Sequence, residues 1–347
     1  MSVPVVHYTD TVSNIPRVKE KAAGDTLTVA LAGDIMMGTT YPDPALPAND
    51  GKSLFRDVKF VLRTADIALA NLEGTLCDSA ETTKKKSAFS YAFRTPVRFA
   101  PRLKEAGFDF LSMANNHAFD FGIEGVESTE AALEGQGIAY AGIKGRRRYD
   151  VVTRGGVRYG VCAFGHNGYT FRHQDLDGVK EILDSLRRRA DIIIVSFHGG
   201  AEGSTKSHLP YGKEEFLKED RGTLREFARF CIDNGADVVF GHGPHVVRCI
   251  EVYKDRLIAY SLGNFCTPYG INTSGISGYA PVIVTKINRN GEFIEGKIHS
   301  FIQKRGVGPR RDSTNVVVRQ IKSLTATDIP NSKIKIKNNG SFVIKNE

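Results

Sequence analysis

The segment Leu27-Thr28-Val29-Ala30-Leu31-Ala32-Gly33-Asp34 decides the fold class. It is a nearly unbroken apolar run that stops at a glycine and a carboxylate, as a strand covered on both faces does. A helical pattern follows over 53–63, and the scheme then recurs down the chain. Apolar runs at 67–70, 108–113, 157–164, 192–197 and 238–240 each end in a cluster of small or polar residues. Helical periodicity fills the gaps at 97–106, 123–134 and 179–189. Leu224, Phe227, Ala228 and Cys231 fall at i, i+3, i+4 and i+7, one apolar stripe on a helix that Gly235 can end. Strands and helices in alternation predict an α/β fold.

Beyond Gly241 the pattern shortens to strands at 257–262, 282–287 and 293–298, with Asn290-Gly291 as a hairpin turn between the last two. Residues 1–26 read as an N-terminal extension, 27–305 as the main domain, and 306–347 as a basic, loosely packed tail. No stretch approaches the roughly 18 consecutive apolar residues of a membrane span, and the first residues lack the hydrophobic core of a signal peptide. The expectation is a cytoplasmic protein, the alternative being a chain that has lost a leader or an anchor.

Composition narrows the function classes. The five cysteines, Cys77, Cys162, Cys231, Cys249 and Cys266, are scattered and never spaced as Cys-x-x-Cys, so free core thiols are expected rather than disulfides or a thiolate zinc site. A formal net charge of +8 favours an anionic small molecule or polymer as partner. The basic runs Lys84-Lys85-Lys86, Arg146-Arg147-Arg148 and Arg187-Arg188-Arg189 read as solvated loops and a helix face. No nucleic-acid motif occurs, and no nucleic-acid partner is expected. A Gly-x-Ser-x-Gly elbow and a phosphate loop with Lys before Ser or Thr are both missing, which argues against a serine hydrolase and against nucleotide hydrolysis by that route.

The chemistry gathers at the strand ends. Directly after successive predicted strands stand Gly33-Asp34, Asn71-Leu72-Glu73-Gly74, Asn115-Asn116-His117, His198-Gly199-Gly200 and Gly241-His242-Gly243-Pro244-His245. Taken singly, an Asp after a strand is a cap or turn former, and a His is a core residue. A series of unrelated caps has no reason to supply four histidines and two carboxylates at successive strand ends. Since parallel strands share their carboxyl edge, these groups are expected to converge there. The neighbouring glycines let backbone turn sharply and approach closely.

These clusters, with Asp120-Phe121-Gly122 and Ser261-Leu262-Gly263-Asn264-Phe265, resemble the motif set of the CapA or PgsA family of capsule and poly-γ-glutamate biosynthesis proteins. The resemblance implies a four-layer calcineurin-like metallophosphoesterase fold, a β-sandwich flanked by helices. The strand and helix pattern alone leaves open a doubly wound single sheet. The resemblance also implies two divalent ions, manganese, iron or zinc, held by Asp34, Glu73, Asn116, His198, His242 and His245. It makes His117 the proton-transfer group, with Asp120 fixing its tautomer. Asn71, Arg94, Glu202 and Asn264 are expected in the substrate cleft, and His166, His173 and His208 are loop histidines that could approach it.

The implied activity is a metal-dependent hydrolase of a phosphoester or related anionic, γ-glutamyl substrate, with non-catalytic assembly of the polymer as the alternative. Three departures bear on it. Met36 stands where phosphoesterases carry a histidine two residues after the first aspartate, His198-Gly199-Gly200-Ala201-Glu202 lacks an aromatic after its histidine, and Gly243 replaces a histidine found in many relatives.

Overall fold

The computed structural model describes residues 26–84 and 91–345, so the expected N-terminal extension falls outside it but for Thr26. Two sheets form the centre. In the first, Thr26–Ile35 pairs in parallel with Ile67–Leu72, which pairs with Phe110–Ser112 and then Ala139–Ala141. On its other side Thr26–Ile35 pairs antiparallel with Val282–Asn288, and this strand with Phe293–His299. Asn290-Gly291 lies in the turn between these two, as expected, with Gly291 at φ 77°. In the second sheet Val157–Phe164, Ile192–His198 and Val238–His242 run parallel. The antiparallel Tyr149–Arg154 flanks Val157–Phe164.

The layering follows from side-chain alternation. Leu27, Val29, Leu31, Ile67 and Leu69 share one core with the strands of the second sheet. The alternate residues Ala30, Ala32, Ala68 and Ala70 face a second core with Leu62, Leu103, Val126 and Leu133. Those four belong to helices Lys59–Thr64, Ala100–Ala106 and Gly122–Gly135, which cover the outer face of the first sheet. Helices Leu176–Arg187 and Leu224–Asp233 cover the second sheet, burying Val179, Ile182, Leu183, Leu224, Phe227 and Ala228. Each fully buried Leu or Phe contributes about 1.5–3 kcal/mol. The result is helices, sheet, sheet, helices, which excludes the doubly wound single sheet.

One expectation needs correction. The region from residue 306, read as a loose tail, is packed into the domain. Helix Val316–Asp328 buries Val317, Ile321 and Leu324, and Asp312 caps its start by accepting the Val316 N–H at 2.7 Å. Strand Ser341–Ile344 extends the first sheet alongside Phe293–His299, where Phe342 stacks on Phe293. Short apolar runs hid a helical period of three and four residues. The described cysteines are all buried and free, as expected.

Candidate metal centre

Both sheets end at one edge. In the first, the register sets Asp34 beside Asn71 on one side and beside Asn264 on the other. In the second it sets His242 beside His198. Parallel neighbours in register end at the same height, so side chains distant in sequence come together. Glycine permits the close approach: a Cβ on Gly33 would stand 2.0 Å from the Gly263 carbonyl oxygen, and one on Gly243, at φ 115°, would stand 2.3 Å from the Gly199 carbonyl oxygen.

Asp34 Oδ1 lies 3.0 Å from His242 Nδ1, and Oδ2 lies 3.1 Å from His245 Nδ1. Glu73 Oε2 lies 3.3 Å from His198 Nε2, and Oε1 lies 4.0 Å from His245 Nε2. Five of the six expected ligands therefore form one buried cluster. The sixth, Asn116, follows Asn115, whose amide donates to Asn71 Oδ1 at 3.0 Å and to the Leu72 carbonyl at 2.8 Å. That places Asn116 at the same edge.

The electrostatics suit positive charge. Burial alone would push the Asp34 carboxyl up, but the close imidazoles of His242 and His245, the latter hydrogen-bonded to it, outweigh burial and hold the group well below the usual range. Glu73 comes down to about 2, its burial overcome chiefly by His198. His245 resists its own burial and rises to about 10, driven by Asp34, Glu73 and Glu202. Without a metal, the proton on His245 supplies charge that the carboxylates attract.

Donor type and burial both fit a cation. Both ring nitrogens of His198 and of His242, Glu73 Oε1 and Asn116 Oδ1 are buried with no hydrogen-bond partner among the described residues. His242 is close to Asp34, and His198 to Glu73, but neither pair has hydrogen-bond angles. A buried polar atom left unpaired costs about 1–3 kcal/mol, and a metal ion is one way to remove that cost. Imidazole and oxygen donors without thiolate suit manganese, iron or zinc. Among the described residues, no three His, Cys, Asp or Glu side chains already surround a single point. The imidazoles and carboxylates turn toward one another, and small rotations would be needed to share an ion.

Beside this cluster, His117 Nδ1 lies 2.9 Å from Asp120 Oδ2, which also accepts the Phe93 N–H at 2.8 Å. The Phe93 ring packs on His117 with centroids 4.4 Å apart. The other expected residues divide. Asn71 donates both amide hydrogens, to Asp34 at 2.9 Å and Glu73 at 2.6 Å, while accepting from Asn115, so it brackets the carboxylates. Arg94 is outside the cluster, donating to Thr40 and the Ala80 carbonyl and lying over the Phe121 ring. Asn264 donates to the carbonyls of His245, Asn272 and Ser277, which fixes the loop carrying His245. Glu202 is at the rim, 4.0 Å from His245 Nε2 and ion-paired with Arg221 at 2.8 Å.

Of the loop histidines, His166 stacks 5.9 Å from His198, His173 is buried nearby, and His208 is bound to Asp328 instead. Met36 is buried and its sulfur accepts the Gly38 N–H. Sequence reasoning gave Asn115 no role and took Lys84 for a solvated residue. Asn115 is signalled only by its place inside Asn115-Asn116-His117, and Lys84 by nothing.

Two stacked sheets between helical layers, with a buried histidine and carboxylate cluster at their shared edge, define a four-layer α/β protein with a candidate metal centre. The chain belongs to the bacterial capsule synthesis protein family PGA_cap, whose family model matches residues 28–269. It is 28% identical to the PGA biosynthesis protein CapA of Bacillus subtilis over 272 residues, 74% of this chain and 67% of that protein. It is 30% identical over 311 residues to a probable polyglutamine synthesis accessory protein of Mycobacterium tuberculosis, covering 74% of this chain and 77% of the relative. Among solved structures it is similar to the calcineurin-like phosphoesterase YfkN of Bacillus subtilis, with a TM-score of 0.45 and 13% identity, covering 88% of this chain and 97% of that one. No helix among the described residues is long and apolar enough to cross a membrane.

Proposed function

We propose that this chain is a metal-dependent hydrolase of an anionic substrate, a phosphoester or a related γ-glutamyl compound, acting in capsule or poly-γ-glutamate biosynthesis. The supporting observation is the set of buried, partnerless ligand atoms on His198, His242, Glu73 and Asn116 beside two ionised carboxylates. Asp34, Glu73, Asn116, His198, His242 and His245 would hold two divalent ions, which polarise a substrate oxygen and make a bound water acidic enough to ionise near neutrality.

The chain's own groups do the rest. Asn71 keeps both carboxylates in place through its two amide hydrogens. His117 keeps Nε2 clear of hydrogen bonds to the described residues, while Asp120 meets its Nδ1. This leaves Nε2 to stabilise negative charge on the leaving group or to protonate it. The formal net charge of +8 favours association with anions in general. Protein loaded with manganese or zinc is expected to cleave a generic aryl phosphate or a γ-glutamyl polymer, and His117→Ala to lower kcat by about 10²–10⁴. Absence of metal-dependent turnover across a broad substrate panel would overturn the proposal.

The second reading is a non-catalytic component that binds the anionic polymer during assembly. Met36 favours it, since a thioether stands two residues after the first aspartate, where phosphoesterases carry a histidine, and its sulfur accepts the Gly38 N–H. Polymer binding that persists in metal-stripped His198→Ala, with no turnover by the loaded wild type, would select this reading.

A further inference from the structure

The first residue of the run Lys84-Lys85-Lys86 is turned inward. Lys84 Nζ lies 2.8 Å from the Tyr91 carbonyl, 3.0 Å from His117 Nδ1 and 2.5 Å from Asp120 Oδ1. The first two contacts have hydrogen-bond angles. The third is an ion pair and the shortest of the three. An ammonium has three donors and no acceptor. Its three donors therefore match three acceptors, the carbonyl, the imidazole nitrogen and the carboxylate.

His117 Nδ1 faces two groups with opposite demands. Asp120 Oδ2 at 2.9 Å wants a hydrogen from it, whereas Lys84 offers one. A ring nitrogen cannot donate and accept at once. Asp120 can release the ring, because Oδ2 already takes the Phe93 N–H and the adjacent ammonium balances its charge. Lys84 is less free. With a hydrogen on Nδ1, the ammonium would face another donor at 3.0 Å and lose one of its three acceptors.

We propose that Lys84 is the positioning residue of the His117–Asp120 pair, and that it holds the neutral His117 ring with its proton on Nε2 by donating to Nδ1. This rests on the hydrolase reading for its use and reverses the expectation that Asp120 takes the Nδ1 hydrogen. In the Nε2–H tautomer, neutral His117 is a hydrogen-bond donor at the one ring nitrogen the described protein leaves unengaged. It supports charge building on a leaving oxygen without first becoming imidazolium. Asp120 then acts as the anchor that keeps the ammonium in place.

The test is nitrogen-15 NMR of the full chain labelled at histidine, at a pH where the ring is neutral, with His117→Gln to assign the signals. In the wild type, Nδ1 of His117 is expected to be the unprotonated nitrogen. In Lys84→Met the proton is expected to move to Nδ1, where Asp120 accepts it, and Lys84→Arg is expected to restore the original tautomer. With an active substrate in hand, Lys84→Met should lower kcat about 10- to 100-fold with KM far less changed, as for other residues that orient a reacting group. A wild-type ring protonated at Nδ1, or a tautomer unmoved by Lys84→Met, overturns the proposal whether or not turnover exists. The expected tautomer switch without any turnover would uphold the role of Lys84 and refute the hydrolase reading.

Discussion

The two ends of the parallel strands carry the same residue types under opposite conditions. At the amino ends, Asp66, Asp109, Asp191 and Asp237 each stand directly before a strand. Each accepts a backbone N–H from the neighbouring strand, from Thr28, Ala68, Arg158 and Ile193 respectively, at 2.7–3.0 Å. Arg154, Arg158 and Arg256 pair with the last three. These carboxylates are matched by protein alone. At the carboxyl ends, Asp34 and Glu73 meet His242 and His198, whose ring nitrogens stay without hydrogen-bond partners among the described residues. Acidic residues at a strand end do not by themselves mark a site; unmatched polar atoms around them do.

Breaking the carboxyl end should have the largest effect. Glu73→Gln removes one of the two carboxylates and is expected to weaken manganese retention at least about 100-fold, beyond the 10- to 100-fold typical of outer-shell changes. Elemental analysis and a competition titration would read this, and stoichiometric, tight metal in the variant would erase the contrast. The opposite end should respond in stability instead. Asp237→Ala strands the Ile193 N–H and removes the carboxylate of Arg256, which keeps its bond to the Asn290 carbonyl, and this costs about 1–3 kcal/mol. Urea unfolding of the metal-free protein measures that loss, while metal stoichiometry in the folded variant stays unchanged. A variant that keeps its stability but loses metal would reverse the roles assigned to the two ends.

Much of this arrangement was legible in the sequence, and the gaps have physical causes. The strands at 157–164, 192–197 and 238–240 were readable because burial on both faces makes their composition continuous, and His198 and His242 terminate them. Two sheets instead of one could not be read, since alternation along a buried strand looks the same whichever layer covers it. The C-terminal helix was missed because Arg319, Lys322 and Ser323 on its outer face diluted the spacing of Val317, Ile321 and Leu324. At the site, ligand types at strand ends were visible, whereas the engagement of Asn71 and Arg94 depends on neighbours far away in sequence. The inward turn of Lys84 depends on Tyr91, His117 and Asp120, and a run of three lysines carries no sign of it.

His173 separates unmatched atoms that serve a site from those that are merely buried. Its Nε2 has no hydrogen-bond partner among the described residues, yet it is not among the expected ligands, and its ring is packed so closely against Gly222 that a Cβ there would stand 2.3 Å away. Burial, aided by the charge of His198, pushes its pKa down to about 3. The unfolded chain takes up a proton on this ring as pH falls below about 6.5, whereas the folded protein refuses it until about pH 3. Protons thus favour the unfolded state across that window, and the stability present above pH 6.5 is lost on acidification. Between pH 7 and pH 5 the loss from this residue is expected to be about 2 kcal/mol. Urea unfolding of metal-free wild type and His173→Gln at both pH values isolates it, because other groups titrate alike in the two proteins. If the variant keeps the full acid sensitivity of the wild type, the ring of His173 is already charged or hydrated in the folded state. In that case the carboxyl edge around it is wetter than its packing against Gly199 and Gly222 indicates.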